Sequence, residues 1–349
     1  MIIAEGRHAA FDLKAALAQL KPLANAVEQL HELLSFQLNP LPLPGSGATL
    51  ERWQALAQVA QHSLSLAKLY EGHHDALATL AELEEPSSTT VVAADGSWGV
   101  WAAESANTRV TLTPSAGSSV LLNGTKCWCS GAQTLSHGLL TAWLADGQGP
   151  YLVRVVMNQP SIEVSASAWQ AVGMVESASV DIIFTQALAH RVAYMGDYLS
   201  RPGFWQGGAG IAACWYGGTV GLANVLRQTL IDTMPIHWGP YKLAALGKVD
   251  LALSGTAVLL RHAAQWIDDH PLADASTVAL RCRLAAERCA ATVLDETGRA
   301  LGASAFCLNG YFARMAADLP VFIRQSHAER DFAALAERVI PMESQSWCL

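Results

Sequence analysis

Leu122-Asn-Gly-Thr-Lys-Cys-Trp-Cys-Ser-Gly-Ala132 is the stretch on which the reading of this chain turns. It follows Val120-Leu121 and reads as strand, interrupted by Asn123-Gly124, the dipeptide that most favours a tight hairpin turn. Cys127 and Cys129 flank Trp128 and, as alternate residues of a strand, share one face. Two thiols alone make a poor metal site, so they read as reduced side chains, and no metal is expected anywhere in the chain.

Outward from this stretch, the texture stays strand-like for about a hundred residues. Thr108-Arg-Val-Thr-Leu-Thr, Tyr151-Leu-Val-Arg-Val-Val, Ile162-Glu-Val-Ser and Ser179-Val-Asp-Ile-Ile-Phe are short apolar-rich runs separated by polar turns. Such spacing predicts a compact β-barrel or sandwich. Helical periodicity lies on both sides of it. Leu13, Leu17, Leu20, Leu23, Val27, Leu30 and Leu33 recur three or four apart, the period of a helix with one buried face. A Pro- and Gly-rich break at 39–47 follows, and the period resumes from Leu56 to Leu80. Pro86-Ser-Ser-Thr-Thr closes this first region. From Tyr198 to Ile340 the chain is helical again, interrupted at Pro240, at His270-Pro271 and at 302–310, which suits a bundle of four or five helices. The expected fold class is α+β. It comprises an N-terminal helical domain (1–88), a central β-barrel or sandwich domain (89–190) and a C-terminal four-helix-type bundle (191–349).

Composition narrows the function classes. Of 349 residues, 51% are hydrophobic and 15% charged, against about 25% charged in an average soluble domain. Much of the chain is therefore buried, in helix packing or in a subunit interface. A net charge of −8 argues against a nucleic-acid surface. Residues 1–11 lack the basic region and apolar core of a signal peptide. The seven cysteines are odd in number and scattered, which fits a reducing cytoplasm. The uncharged run 202–226 is long enough to span a bilayer, but its seven glycines mark it as a buried helix with close backbone contacts rather than a membrane segment.

The 122–132 stretch resembles a segment of the acyl-CoA dehydrogenase family that carries an NG-K-W-(I/T/S)-(N/S)-G pattern. Trp169-Gln-Ala-Val-Gly-Met174 is similar to that family's W-LGMR stretch, and Val180-Asp-Ile-Ile-Phe184 to its closing strand. Arg299-Ala-Leu-Gly-Ala-Ser-Ala-Phe306 looks like its glycine-rich loop. The resemblance implies an oxidoreductase with a flavin, FAD in most of the family, between the β domain and the bundle. It implies that Trp128 packs near the flavin ring and that the Ser130 hydroxyl bonds the ring's polar edge. Residues alone leave Trp128 open as a barrel-core side chain and Ser130 as a turn hydroxyl. Trp101-Ala-Ala-Glu-Ser105 stands where the family has a flavin-contacting strand end, keeping Glu104 but with Ala103 in place of a hydroxyl residue. Trp101, Gly302 and Arg324 complete the implied cofactor contacts.

Three departures from the family matter. The arginine expected to bind a neighbouring subunit's FAD pyrophosphate falls at Pro235. The glycine-rich loop opens with Arg299 in place of glutamine, either a substitute phosphate contact or a solvent-facing helix residue. The glutamate base falls at Ser326, and its alternative position near Ile211. What stands there is Arg324-Gln-Ser-His-Ala-Glu-Arg-Asp331, either a solvated loop or a site beside the flavin in which His327 is the first choice of base, with Glu329 and Ser326 beside it. Tyr70-Glu-Gly-His-His-Asp75 reads as a polar cap on the barrel near the substrate entrance, with Glu71 and Asp75 the pair that shares a helix face.

The function implied is α,β-dehydrogenation of an acyl thioester or carrier-bound acyl group. Its redox partner is a flavoprotein electron acceptor or a flavin reductase. The missing glutamate keeps open a flavin-dependent monooxygenase, and the combined departures keep open a non-catalytic scaffold. The bundle implies a homodimer or homotetramer.

Overall fold

The computed structural model describes residues 12–21, 25–36, 38, 40–84, 96–165, 169–342 and 347. Residues 1–11, read as lacking signal-peptide features, and the expected end of the first region at 86–90 lie outside the described residues. Helices α1 (Leu13–Gln19) and α2 (Ala26–Ser35) come first. The single leucine period that runs through both is split because Asn25 caps a new helix: its side chain accepts from the Val27 and Glu28 amides, and Glu28 reaches back to the Asn25 amide. That reciprocal box fixes a helix start. Helices α3 (Thr49–His62) and α4 (Leu64–Leu83) follow, broken at Ser63, whose hydroxyl accepts from the Leu66 amide.

Seven strands form one mixed sheet: β1 (Trp98–Trp101), β2 (Val110–Pro114), β3 (Ser119–Cys129), β4 (His137–Ala142), β5 (Tyr151–Val156), β6 (Ile162–Ser165) and β7 (Val180–Arg191). The order is β1-β4-β5-β7-β3-β2, with β6 also on β7, and β1 lies parallel to β4. The sheet curls until β2 meets the end of β4, where the Leu112 amide donates to the Trp143 carbonyl at 2.7 Å and the Trp143 amide to Val110 at 3.0 Å.

Asn123-Gly124 is not a hairpin turn. Both residues lie inside β3, and the turn between β2 and β3 falls at 115–118. Opposite Asn123, β7 carries one extra residue, Gln186, at φ +56°. The Asn123 side chain accepts the Gln186 amide at 3.0 Å, replacing the ladder bond that the bulge breaks. Gly124 has φ +108°, and a Cβ there would stand 2.3 Å from the Arg109 carbonyl oxygen. The dipeptide serves a β-bulge, which uses the same residue chemistry as a turn.

The second half is α5 (Asp197–Ser200), α6 (Pro202–Ile231), α7 (Pro240–Asp269), α8 (Ser276–Leu301), α9 (Ala303–Leu308), α10 (Gly310–Phe322) and α11 (Glu329–Val339). By length and composition, α6 and α7 are both apolar enough to cross a membrane. In α6, 78% of the apolar window is buried inside the protein. Its glycines make this possible: a Cβ at Gly217 would meet the Ala57 carbonyl oxygen at 2.2 Å, and one at Gly218 the Leu64 side chain at 2.5 Å. Helix α6 is thus the core helix, packed between α3 and α8.

Candidate functional site

Trp128 owes its position to a second bulge. Between Lys126 and Cys129, β3 has one residue more than its partner β7, and Trp128 takes φ +59°. That conformation is costly for a bulky side chain. It throws the indole outward, 53% exposed, so Trp128 is not a barrel-core residue. Lys126, by contrast, is buried between Glu104 at 3.0 Å and the Thr141 hydroxyl at 2.8 Å, which fixes the strand end behind Glu104.

Trp128 stands on the wall of a cavity of about 800 Å³ between the sheet and the helical bundle. The sheet side carries Trp101, Trp128, Ser130 and Trp169; the bundle side carries Phe322, Arg324 and His327. Trp101 is pinned by its indole N–H to the Ser130 carbonyl at 3.1 Å. The floor is the 169–177 segment, held on α10. The Trp169 indole donates to the Gly173 carbonyl, and the Met174 amide donates to buried Asp318 at 2.6 Å. Burial pushes the Asp318 carboxyl up, and the Met174 amide and Arg314 oppose that shift. A Cβ on Gly173 would sit 2.0 Å from the Ala317 carbonyl oxygen, so only glycine allows this docking.

Ser130 heads a chain of hydroxyls. Its Oγ is 2.8 Å from Ser179 Oγ, which is 3.0 Å from Ser177 Oγ, and Ser177 donates to the Met174 carbonyl at 2.7 Å. A carbonyl only accepts and each hydroxyl has one proton. Ser179 must therefore donate to Ser177, and Ser130 to Ser179. The Ser130 proton is committed within the protein, so its oxygen turns lone pairs to the cavity. Ser130 is neither a turn hydroxyl nor a free donor.

The opposite wall is the turn after α10. The Asp331 carboxylate accepts from the His327 amide at 3.1 Å and the Ser326 hydroxyl at 3.3 Å. Ser326 is thereby buried in the turn. The His327 ring stays 57% exposed, with Nδ1 at 3.4 Å from Asp331. Arg324 pairs with Glu287.

A second cavity, of about 270 Å³, adjoins the first, and Tyr198, Arg283, Gln325 and His327 line both. Its walls carry Glu71 and Asp75 from α4, Arg201, Phe204, Trp205 and Ile211 around the start of α6, and Asp331. Burial pushes the Asp75 carboxyl up, Glu71 adds to this, and Arg201, Arg52 and Lys68 oppose it. Burial pulls the Arg283 guanidinium down, against Asp331 and Glu287. Beside Asp75, His73 accepts the Trp98 amide at 3.2 Å, and burial lowers its pKa to about 4. The 70–75 cluster is thus a polar cap fastened to β1. Among the described residues no group of metal-ligating side chains is assembled.

Of the residues singled out by sequence, Trp101, Trp128, Ser130, Arg324 and His327 are brought to the larger cavity. Ser326, Glu329, Arg299 and Gly302 line neither cavity. Glu329 is exposed on the first turn of α11, Arg299 pairs with Asp295 at 3.3 Å in solvent, and Gly302 ends α8 at φ +67°. Sequence reasoning missed Ser177, Ser179, Tyr198, Arg201 and Arg283. The Glu71–Asp75 helix face was the one signal that pointed to the smaller cavity.

No family model matches the chain, and no curated protein sequence matches it. Its structure is similar to the FMN-bound TdsC of Paenibacillus sp. A11-2, with TM-score 0.74, 17% identity and 89% of each chain covered. It is similar to the methanesulfinate monooxygenase MsuC of Pseudomonas fluorescens, with TM-score 0.70, 20% identity, and 84% of this chain and 83% of that one covered. It is also similar to KijD3 in complex with dTDP, with TM-score 0.76, 17% identity, and 95% and 93% covered. Helices, curled mixed sheet and helical bundle follow one another in a single architecture, and this chain has the acyl-CoA dehydrogenase-like fold.

Proposed function

We propose that the protein is a flavin-dependent oxidoreductase that uses the larger cavity for flavin and the smaller one for substrate. The observation that carries this is the cavity between sheet and bundle. It has broad indole faces on one wall, a hydroxyl oxygen at one edge and a volume in the range of cofactor sites. A bound flavin supplies the redox chemistry. The protein's residues do the rest. Trp101, Trp128 and Trp169 exclude water from a flat ring. Ser130 offers an acceptor to a ring N–H. His327, steered by Asp331, is the proton carrier on the shared wall.

We read the chemistry as monooxygenation. Two observations favour this: neither Ser326 nor Ile211 supplies the dehydrogenase carboxylate, and the smaller cavity, about 270 Å³, is lined by five charged side chains. TdsC, described as a dibenzothiophene monooxygenase, and MsuC carry that activity on the same fold. FMN is favoured over FAD because Pro235 puts no guanidinium at the pyrophosphate position and TdsC binds FMN. A flavin reductase is then the redox partner. Dehydrogenation of an acyl substrate stays as the second reading, since Asp75 does place a carboxyl on the smaller cavity's wall.

Purified protein that is colourless and takes up neither FMN nor FAD overturns the flavin reading and leaves the scaffold. Anaerobic bleaching of bound flavin by acyl thioesters selects the dehydrogenase. Oxygenated product formed only with reduced flavin and O2 selects the monooxygenase.

We further read the chain as three domains, 1–88, 89–190 and 191–349, in a cytoplasmic homodimer or homotetramer. The six described cysteines are free, which suits a reducing compartment. Only 22% of the α7 apolar window is buried, and Tyr241, Leu251 and Val258 stand exposed along it. A second copy covering that face accounts for a stripe which water would otherwise meet.

A further inference from the structure

The smaller cavity has an unbalanced charge inventory. Three carboxyls (Glu71, Asp75 and Asp331) face two guanidiniums (Arg201 and Arg283). Both guanidiniums hold ion pairs through their terminal nitrogens, while the buried Nε–H of each has no hydrogen-bond partner among the described residues. Arg201 holds Glu82 at 2.7 Å, and Arg283 donates to the Gln325 carbonyl at 2.9 Å with Asp331 at 3.9 Å. Glu71 pairs with Lys68 at 3.0 Å. Among the described residues, Asp75 is the lining carboxyl with no cation in ion-pair contact. The fold keeps space for that carboxyl: a Cβ on Gly207 would stand 2.8 Å from Asp75 Oδ1. Arg201, Arg52 and Lys68 act on Asp75 only through space, and a half-buried carboxyl with no ion-pair contact is costly, so the chamber has a place for one more cation.

The remaining wall is aromatic. Tyr198 and Phe204 meet edge to face with centroids 5.5 Å apart, and Phe204 and Trp205 with centroids 5.4 Å apart. Aromatic faces attract a cation, most strongly when water is excluded; Arg201 already lies over Tyr198 at 5.2 Å and Arg338 over Trp205 at 5.8 Å, so Phe204 is the ring to which no guanidinium is applied among the described residues. An acyl chain would leave the charged groups desolvated and unanswered, and an anion would answer the Arg201 and Arg283 Nε–H groups but add to three lining carboxyls and leave Asp75 without a cation. One positive charge answers both the spare carboxyl and the Phe204 face.

We propose that this chamber is a site for a small organic amine bound as its ammonium. Asp75 is the counter-charge, and Tyr198, Phe204 and Trp205 form the wall. That the amine is the substrate rests on the flavin reading above, because Tyr198, Arg283, Gln325 and His327 form the wall between chamber and flavin cavity. That an amine binds does not.

The test is calorimetric titration of the full chain with benzylamine, benzyl alcohol and benzoate, with and without flavin. The expected result is that benzylamine binds at least tenfold more tightly than either of the others. Asp75→Asn is expected to remove that preference and leave benzyl alcohol binding and flavin affinity unchanged. Phe204→Leu, which leaves the charges in place, is expected to weaken benzylamine several-fold and guards against misfolding of the first variant. Benzoate binding as tightly as benzylamine overturns the proposal, and so does a folded Asp75→Asn protein that keeps the preference. Amine binding by a protein that never takes flavin sinks the functional reading alone. Flavin uptake without amine preference sinks the chamber proposal alone.

Discussion

The two cavities share four residues and differ in size and in how their charges are paired. The larger is walled by indoles and a hydroxyl chain, and its charged lining residues Lys68, Glu104, Arg283 and Arg324 each hold an ion pair. The smaller gathers five charged side chains around about 270 Å³. A roomy, indole-walled slot whose charges are paired suits a ring that one fold reuses, whereas a smaller chamber with an unpaired carboxyl suits a particular small ligand. The difference teaches where generality and specificity sit: the sheet supplies the first, and the face of α4 against the start of α6 supplies the second.

His327 is where the comparison breaks most easily, because it belongs to both cavities. His327→Ala is expected to lower turnover about 100-fold or more, the scale of a lost proton carrier, with flavin content unchanged. Steady-state kinetics beside flavin absorbance checks it, and unchanged turnover removes His327 from the mechanism. Gly173→Ala attacks the larger cavity alone. Its Cβ would collide with the Ala317 carbonyl, so a loss of about 1–3 kcal/mol is expected in denaturant melts. Flavin affinity should fall, while amine binding persists in the folded fraction.

Asp75→Asn addresses the smaller cavity through stability. The folded carboxyl titrates above its ordinary range because burial, then Glu71, penalise its charge. The folded state therefore holds the proton to higher pH than the unfolded chain. Stability is highest below the ordinary carboxylate range and falls as pH rises through the raised value. The slope is limited to about 1.4 kcal/mol per pH unit for one proton. The Asn variant should flatten that slope and be no less stable at neutral pH. Urea midpoints measured across pH decide it, and an unchanged slope means that Asp75 is not the group responsible.

The smallest effect concerns the hydroxyl chain. Ser177→Ala removes the group that orients Ser179, so Ser130 regains the freedom to donate. The ratio of oxidised to reduced FMN affinity should shift a few-fold, about 1 kcal/mol or less for one neutral hydrogen bond. An unchanged ratio means that Ser130 does not meet the flavin.

Much of the fold was legible in the sequence. Leucine spacing gave the helices and alternation gave β2, β3, β5, β6 and β7. The short β1 was signalled only by the resemblance at Trp101, and β4, buried on both faces, carried no alternation and was missed. Asn123-Gly124 announced a positive φ but not whether a turn or a bulge would use it, because register is settled by the partner strand. The larger cavity was half legible, since Trp101, Trp128 and Ser130 lie close together in the chain. Ser177 and Ser179, which set the direction of the Ser130 proton, lie nearly fifty residues away.

By itself the sequence determined which segments are helix and which are strand, that α6 must pack through its glycines, and that the 122–132 stretch matters. These are local properties, set by residue chemistry at fixed spacing. Only the tertiary structure decided that Trp128 faces out, that Ser326 and Glu329 lie off the cavities, and that Asp75 faces Phe204 and Arg283 across one chamber. Those residues come from α4, α6 and α8, roughly eighty to two hundred positions apart. Burial and charge balance are properties of the assembled neighbourhood, and no spacing along the chain encodes them.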